Sequence, residues 1–227
     1  MDIDFGYILM AYFSLLFSLC VHEAAHAAMA NWCGDPSARL LGRMTIDPRK
    51  HIDPLGTVAL PLIMMFTGAQ FLFGWAKPVP FNPRNLNNYR RDPVLIALAG
   101  PLSNVAMALT SAVLLRILLM LMAHSISGPV MPVLVQILGR MIEINVVLAL
   151  FNMIPLPPLD GHHVLYYFLP QQGKEFLTRI GPMGIIIAII FIVPMIQKPV
   201  MYTIIFLLNV ASRGVMDLGE VIEIMYS

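Results

Sequence analysis

His22, Glu23 and His26 stand in the order His-Glu-Ala-Ala-His, inside an apolar run that begins near Phe5. Residues four apart on a helix share one face, one turn from each other, so both imidazoles can reach a single metal ion. The pattern suits zinc, and Glu23, off the metal, can hold the water that the metal activates. A hydrolytic zinc takes three protein ligands and keeps one position open. The third must come from elsewhere, and Asp160, Glu143, Asp53, His51, His162 and His163 are the candidates. Asp160 is preferred because Pro155, Pro157 and Pro158 break the helix before it and can deliver a carboxylate where no regular element would. His162 and His163 are adjacent and point in different directions, so at most one could serve. Both are expected in packing or supporting roles, and His51 as a buried or capping residue.

The elements that position these groups read as membrane helices. The 227 residues are 58% hydrophobic and 12% charged, with a mean hydropathy of +0.77. Soluble domains carry about 25% charge. A net charge of +1 gives no electrostatic support to nucleic-acid binding. Cys20 and Cys33 lie on or near one helix, about 20 Å apart by helical rise, too far for a disulfide. The 17 methionines read as flexible apolar filling. Met1 to Asp4 carries two acids and no basic residue, so no cleavable leader is expected and residues 5–33 form the first span.

Residues 35–54 hold Arg39, Arg43, Arg49 and Lys50, which places them in the cytoplasm and the N-terminus outside. Ala38 to Ile46 reads as a short strand pair. Residues 55–74 are barely long enough to span. Their basic flanks favour a re-entrant segment over a full crossing. Residues 74–83, with Trp75, Lys77 and Val79 among three prolines, should be extended and suited to pairing with a peptide strand. Residues 93–123 and 130–151 are further spans. Gly100-Pro101 should kink the first of these or admit a close neighbour, and Ser103 and Asn104 are either packing hydrogen bonders or site-shaping groups. Counting spans brings Asp160 to the same side as His22 and His26, provided that 55–74 re-enters. Residues 182–212 are one kinked span or a hairpin of two.

With both motifs in view, the sequence resembles the site-2 protease family of intramembrane zinc metalloproteases. His22-Glu23-Ala24-Ala25-His26 matches its H-E-x-x-H, and Asn152 to Gly161 its N-x-x-P-x-x-P-L-D-G. Ala99 to Asn104 resembles its A-G-P-x-x-N. His51 to Gly56 and Gly74 to Pro83 look like the short bacterial and archaeal branch that lacks a PDZ domain. The resemblance covers about residues 10–165. It implies that His22, His26 and Asp160 bind one zinc ion per chain and that Glu23 is the general base. It further implies that Asn152, with Asn104 as a second candidate, orients substrate or the oxyanion, and that the substrate is a transmembrane protein.

The expected fold is an all-α polytopic membrane protein of the cell membrane. It has a three-helix catalytic core over about 5–165, a re-entrant or short extra segment, a small β element and a C-terminal one- or two-span hairpin. Residues 1–227 form one protease domain with the active site towards the cytoplasm. A regulatory membrane partner is compatible with the sequence. A metal transporter and an inactive protease-like scaffold are the rival readings. Polar groups concentrated in one half of the membrane oppose the first, and the complete set of His22, Glu23, His26 and Asp160 opposes the second.

Overall fold

The computed structural model describes residues 5–67, 74–124, 128–181 and 183–226. Among these residues, four helices are long and apolar enough to cross a membrane. They are α1 (Phe5–Trp32), α3 (Asp92–Ala123), α4 (Val130–Asn152) and α7 (Met183–Ser212), with the short α2 (Leu60–Phe66) between the first two. Two short helices, α5 (Gly161–Phe168) and α6 (Gln171–Ile180), join α4 to α7, and α8 (Leu218–Tyr226) closes the chain.

From Tyr7 onward α1 runs without proline or glycine until Gly34. Gly34 ends it at φ +105°, where an added Cβ would also lie 2.9 Å from the carbonyl oxygen of Asn85. α3 lies against both α1 and α4, and α7 and α8 pack on the outer side of α4. Leu115 and Leu119 of α3 meet Val135 and Ile142 of α4, all four fully buried. Lipid is as apolar as these side chains, so close packing and buried polar contacts must hold the helices together. α7 is a single helix, which resolves the one- or two-span alternative. A wide turn over Ala188–Ile192 precedes Pro194, whose missing N–H a regular helix would need. Ala188 of α7 packs on Ile154 and Leu159, and Gly184 admits the carbonyl of Pro157, so α7 braces the loop that carries Asp160.

The expected small β element is absent: no strand occurs among the described residues. Over 38–46 the local hydrogen bonds explain why. Asp35 accepts from the backbone N–H and hydroxyl of Ser37, starting a helical turn over Ser37–Leu40. Gly42 then reverses the chain at φ +66°, and the Arg43 N–H returns to the Ala38 carbonyl. Residues 74–82 form no regular element and join no ladder, and Pro78 and Pro80 have no N–H to give. The segment after Pro54 leaves through a turn over Pro54–Ala59 and α2, and Trp75 N–H returns to the Gly56 carbonyl at 3.3 Å. Its two ends therefore meet. Residues 68–73 lie outside the described residues.

Candidate metal centre

α1 presents His22 and His26 one turn apart, both buried, facing α3. Each Nδ1 faces an oxygen that can only accept. His22 Nδ1 donates to Asn104 Oδ1 at 2.6 Å and His26 Nδ1 to the Ile96 carbonyl at 2.7 Å. With the protons on Nδ1, both Nε2 atoms offer lone pairs. They face each other at 3.0 Å, and Asp160 Oδ2 completes a triangle at 3.2 and 3.4 Å from them. That carboxylate oxygen is buried and finds no geometrically sound hydrogen bond, despite lying so near two ring nitrogens.

In that tautomer three lone-pair atoms converge. Such a group repels itself unless a cation sits at its centre. Zn–N and Zn–O bonds of about 2.0–2.1 Å place tetrahedral ligands about 3.3–3.4 Å apart, close to the observed triangle. The cluster is thus capable of coordinating a metal ion, and two histidines with a carboxylate are a donor set that zinc accepts.

Gly100 of α3 makes room for this arrangement. A Cβ there would lie 2.4 Å from His26 Nε2 and 2.5 Å from His22 Cε1. Only glycine lets the α3 backbone pass so close to both ligand atoms. Beyond His22 a buried polar chain continues: Asn104 Nδ2 donates to Asn145 Oδ1 at 2.8 Å, and Asn145 Nδ2 to Ser18 Oγ at 2.9 Å. Both ends of the Asn104 amide are thereby engaged, one by His22 and the other by Asn145. Neither Asn145 nor Ser18 stands in either sequence motif. Two polar residues at mid-span, on helices expected to be neighbours, were the available signal.

Glu23 stands beside the triangle and not in it, and its Oε2 accepts the Val79 N–H at 3.0 Å. The stretch 74–82 thus reaches α1. Trp75 N–H bonds the Gly56 carbonyl and Lys77 N–H the His51 carbonyl, so the N–H groups of Trp75, Lys77 and Val79 are all engaged within the chain. Asn152, at the end of α4, donates its amide to the Leu148 carbonyl of its own helix.

The rival third ligands are occupied elsewhere. Glu143 pairs with Arg140 and accepts from the Tyr226 hydroxyl. Asp53 caps the N–H groups of Leu55 and Gly56. His51 is buried with Nε2 on the Thr45 carbonyl. His162 Nδ1 donates to the Leu159 carbonyl, and His163 stacks on His162 with its edge against Phe81. Burial, and then the neighbouring His162, push the His163 imidazole down to about 4.

Two buried histidines of a membrane-length helix and a half-buried aspartate drawn to one point, with a carboxylate alongside, define the class: a membrane-embedded metallohydrolase. The description of peptidase family M50 matches residues 10–195. YwhC of Bacillus subtilis, which carries the provisional name of a zinc metalloprotease, is 35% identical over 187 residues, 80% of each chain. Two proteins called Rip2, also provisionally named zinc metalloproteases, are similar. The one from Mycobacterium tuberculosis is 27% identical over 83% of this chain and 69% of its own. The one from Mycolicibacterium smegmatis is 24% identical over 83% of this chain and 68% of its own. No solved structure matches significantly. The chain belongs to peptidase family M50, and it is a zinc-dependent intramembrane endopeptidase of the site-2 protease type.

Proposed function

We propose that His22, His26 and Asp160 hold one zinc ion per chain, that Glu23 is the general base, and that the protein cuts transmembrane segments of other proteins. The observation that carries this is the convergence of three lone-pair atoms at 3.0–3.4 Å, with Glu23 next to them in sequence and outside the triangle. Zinc bound there would supply a Lewis acid that acidifies water and polarises a carbonyl. Glu23 removes the proton from the attacking water and returns it to the leaving amine. Asn104 and the Ile96 carbonyl keep both imidazoles in the tautomer that points Nε2 inward. Asn152 is our choice to orient the substrate or its oxyanion.

A substrate helix shields its peptide bonds, so it must unwind before it is cut, and its freed backbone groups then need partners. The stretch containing Trp75, Lys77 and Val79 is our candidate for that pairing, which requires a substrate to displace bonds that its N–H groups make within the chain. Entry of an extended segment displaces the Val79 N–H from Glu23, which couples substrate arrival to release of the base. Residues 1–227 act as one protease domain with the N-terminus outside and the site open to the cytoplasm, the arrangement favoured by the basic residues of 39–50. A membrane partner that presents substrate is compatible with this scheme.

The test is Glu23→Gln, measured for both metal and cleavage of a panel of transmembrane-segment reporters in proteoliposomes. The variant should keep its zinc and cut nothing. Normal cleavage by it would remove Glu23 from the role of base.

A further inference from the structure

Arg43 is a buried cation that lacks an anion. It is 7% exposed, and its guanidinium donates to the carbonyl oxygens of Lys50, Lys77 and Pro78. Among the described residues its Nε–H has no hydrogen-bond partner. Among the described residues no carboxylate lies within ion-pair distance of it. Burying a charge without a counter-charge is costly, and carbonyl dipoles offset only part of that.

The surroundings add cations. Arg43 lines a cavity of about 450 Å³ together with Arg49, Lys50, Lys77 and Leu41, a volume in the range of small-ligand sites. No acid lines it. The acids of the adjoining segment are spent, Asp47 on Arg49 and Asp53 on two backbone N–H groups. Arg49 is thus matched by Asp47, but Arg43, Lys50 and Lys77 are left around one cavity without an acid, and a guanidinium with ammonium groups suits phosphate oxygens in particular.

The position narrows the source. The cavity's charged residues all follow the end of α1, a helix long and apolar enough to cross a membrane, which favours a source near the membrane surface. Leu40, Leu41, Met44 and Ile46 are exposed beside it, giving apolar contact next to the charges. We propose that this cavity binds the phosphate of an anionic phospholipid headgroup. Its wall includes Pro78 and Pro80, which flank Val79, so an occupied cavity also secures the stretch that reaches Glu23. The proposal does not depend on the catalytic assignments.

The test uses the full chain in nanodiscs of phosphatidylcholine, with and without phosphatidylglycerol, and lipid retention read by native mass spectrometry. Lys50 and Lys77 are exposed, so Lys50→Gln/Lys77→Gln should fold, and its melting temperature checks that it does. Near a surface each lysine is worth about fivefold, so the double variant should hold phosphatidylglycerol about thirtyfold more weakly than the parent. Amide exchange over 74–83 should slow with phosphatidylglycerol in the parent only. Displacement of the lipid by inorganic phosphate would support phosphate recognition and move the source to solution; no displacement supports the lipid. Equal retention of phosphatidylglycerol by parent and folded variant would overturn the proposal. So would a cavity that takes an acidic peptide and neither form of phosphate.

Discussion

Replacing Gly100 with alanine should destroy the metal centre while leaving the helices in place. The added methyl would stand 2.4 Å from His26 Nε2 and 2.5–2.6 Å from two atoms of His22. Ordinary carbon contacts need about 3.5 Å, so the rings must retreat by about 1 Å. They have little room, because each is tethered at Nδ1 by a short hydrogen bond. Metal–ligand distances tolerate about 0.2 Å, so a retreat of that size breaks coordination. The same displacement in an active site costs about a hundredfold in rate. Overpacking a helix contact by one methyl costs about 1–3 kcal/mol, less than most folds can bear. The variant should therefore keep its helical circular dichroism and lose at least about a hundredfold in zinc affinity, by competition with a chromophoric chelator. Zinc affinity within a factor of two of the parent, in a folded protein, would refute the reasoning.

Three further outcomes are expected. Asn104→Leu should weaken zinc binding by about 10–100-fold, because the support that fixes the His22 tautomer is gone; Asn104→Asp, which keeps the accepting oxygen, should recover much of it in the same chelator assay. Glu143→Gln should leave zinc content untouched and lower the melting temperature, since it strips Arg140, itself buried, of its carboxylate partner, a loss of about 3–5 kcal/mol. Burial alone would raise the Asp35 carboxyl, but bonds from Ser37, Asn85 and the Asn82 N–H hold it below the ordinary range. The stability it contributes is complete above the unfolded value of about 3.9 and falls away as pH drops through the lower folded value. Melting curves across acid pH should show this loss in the parent, and Asp35→Asn should flatten it.

The two motifs that meet at the site were legible for a physical reason. A spacing of four on a helix dictates that His22 and His26 share a face, and three prolines before Asp160 exclude ordinary helix there. The choice among six third ligands was not settled by spacing, because it depends on how distant segments fold together. Gly100 showed in sequence only as a place of close approach; what approaches it is a fact of packing. The chain from Asn104 through Asn145 to Ser18 joins three helices and has no local signature. The strand pair expected over 38–46 failed because side-chain bonds from Asp35 and the reversal at Gly42 outweigh the extended tendency of a few residues. That 74–82 forms no helix follows from its prolines. That its N–H groups turn inward, one of them to Glu23, needed the structure.

The most direct test of the account is zinc content by elemental analysis of the detergent-purified protein, prepared without chelators, beside Asp160→Ala. One zinc per parent chain, with a marked loss in a variant that still folds, is the expected result, since it ties two motifs more than 130 residues apart into one centre. Equal zinc in both proteins would contradict the assignment of Asp160, and no zinc in the parent would contradict the metal centre itself.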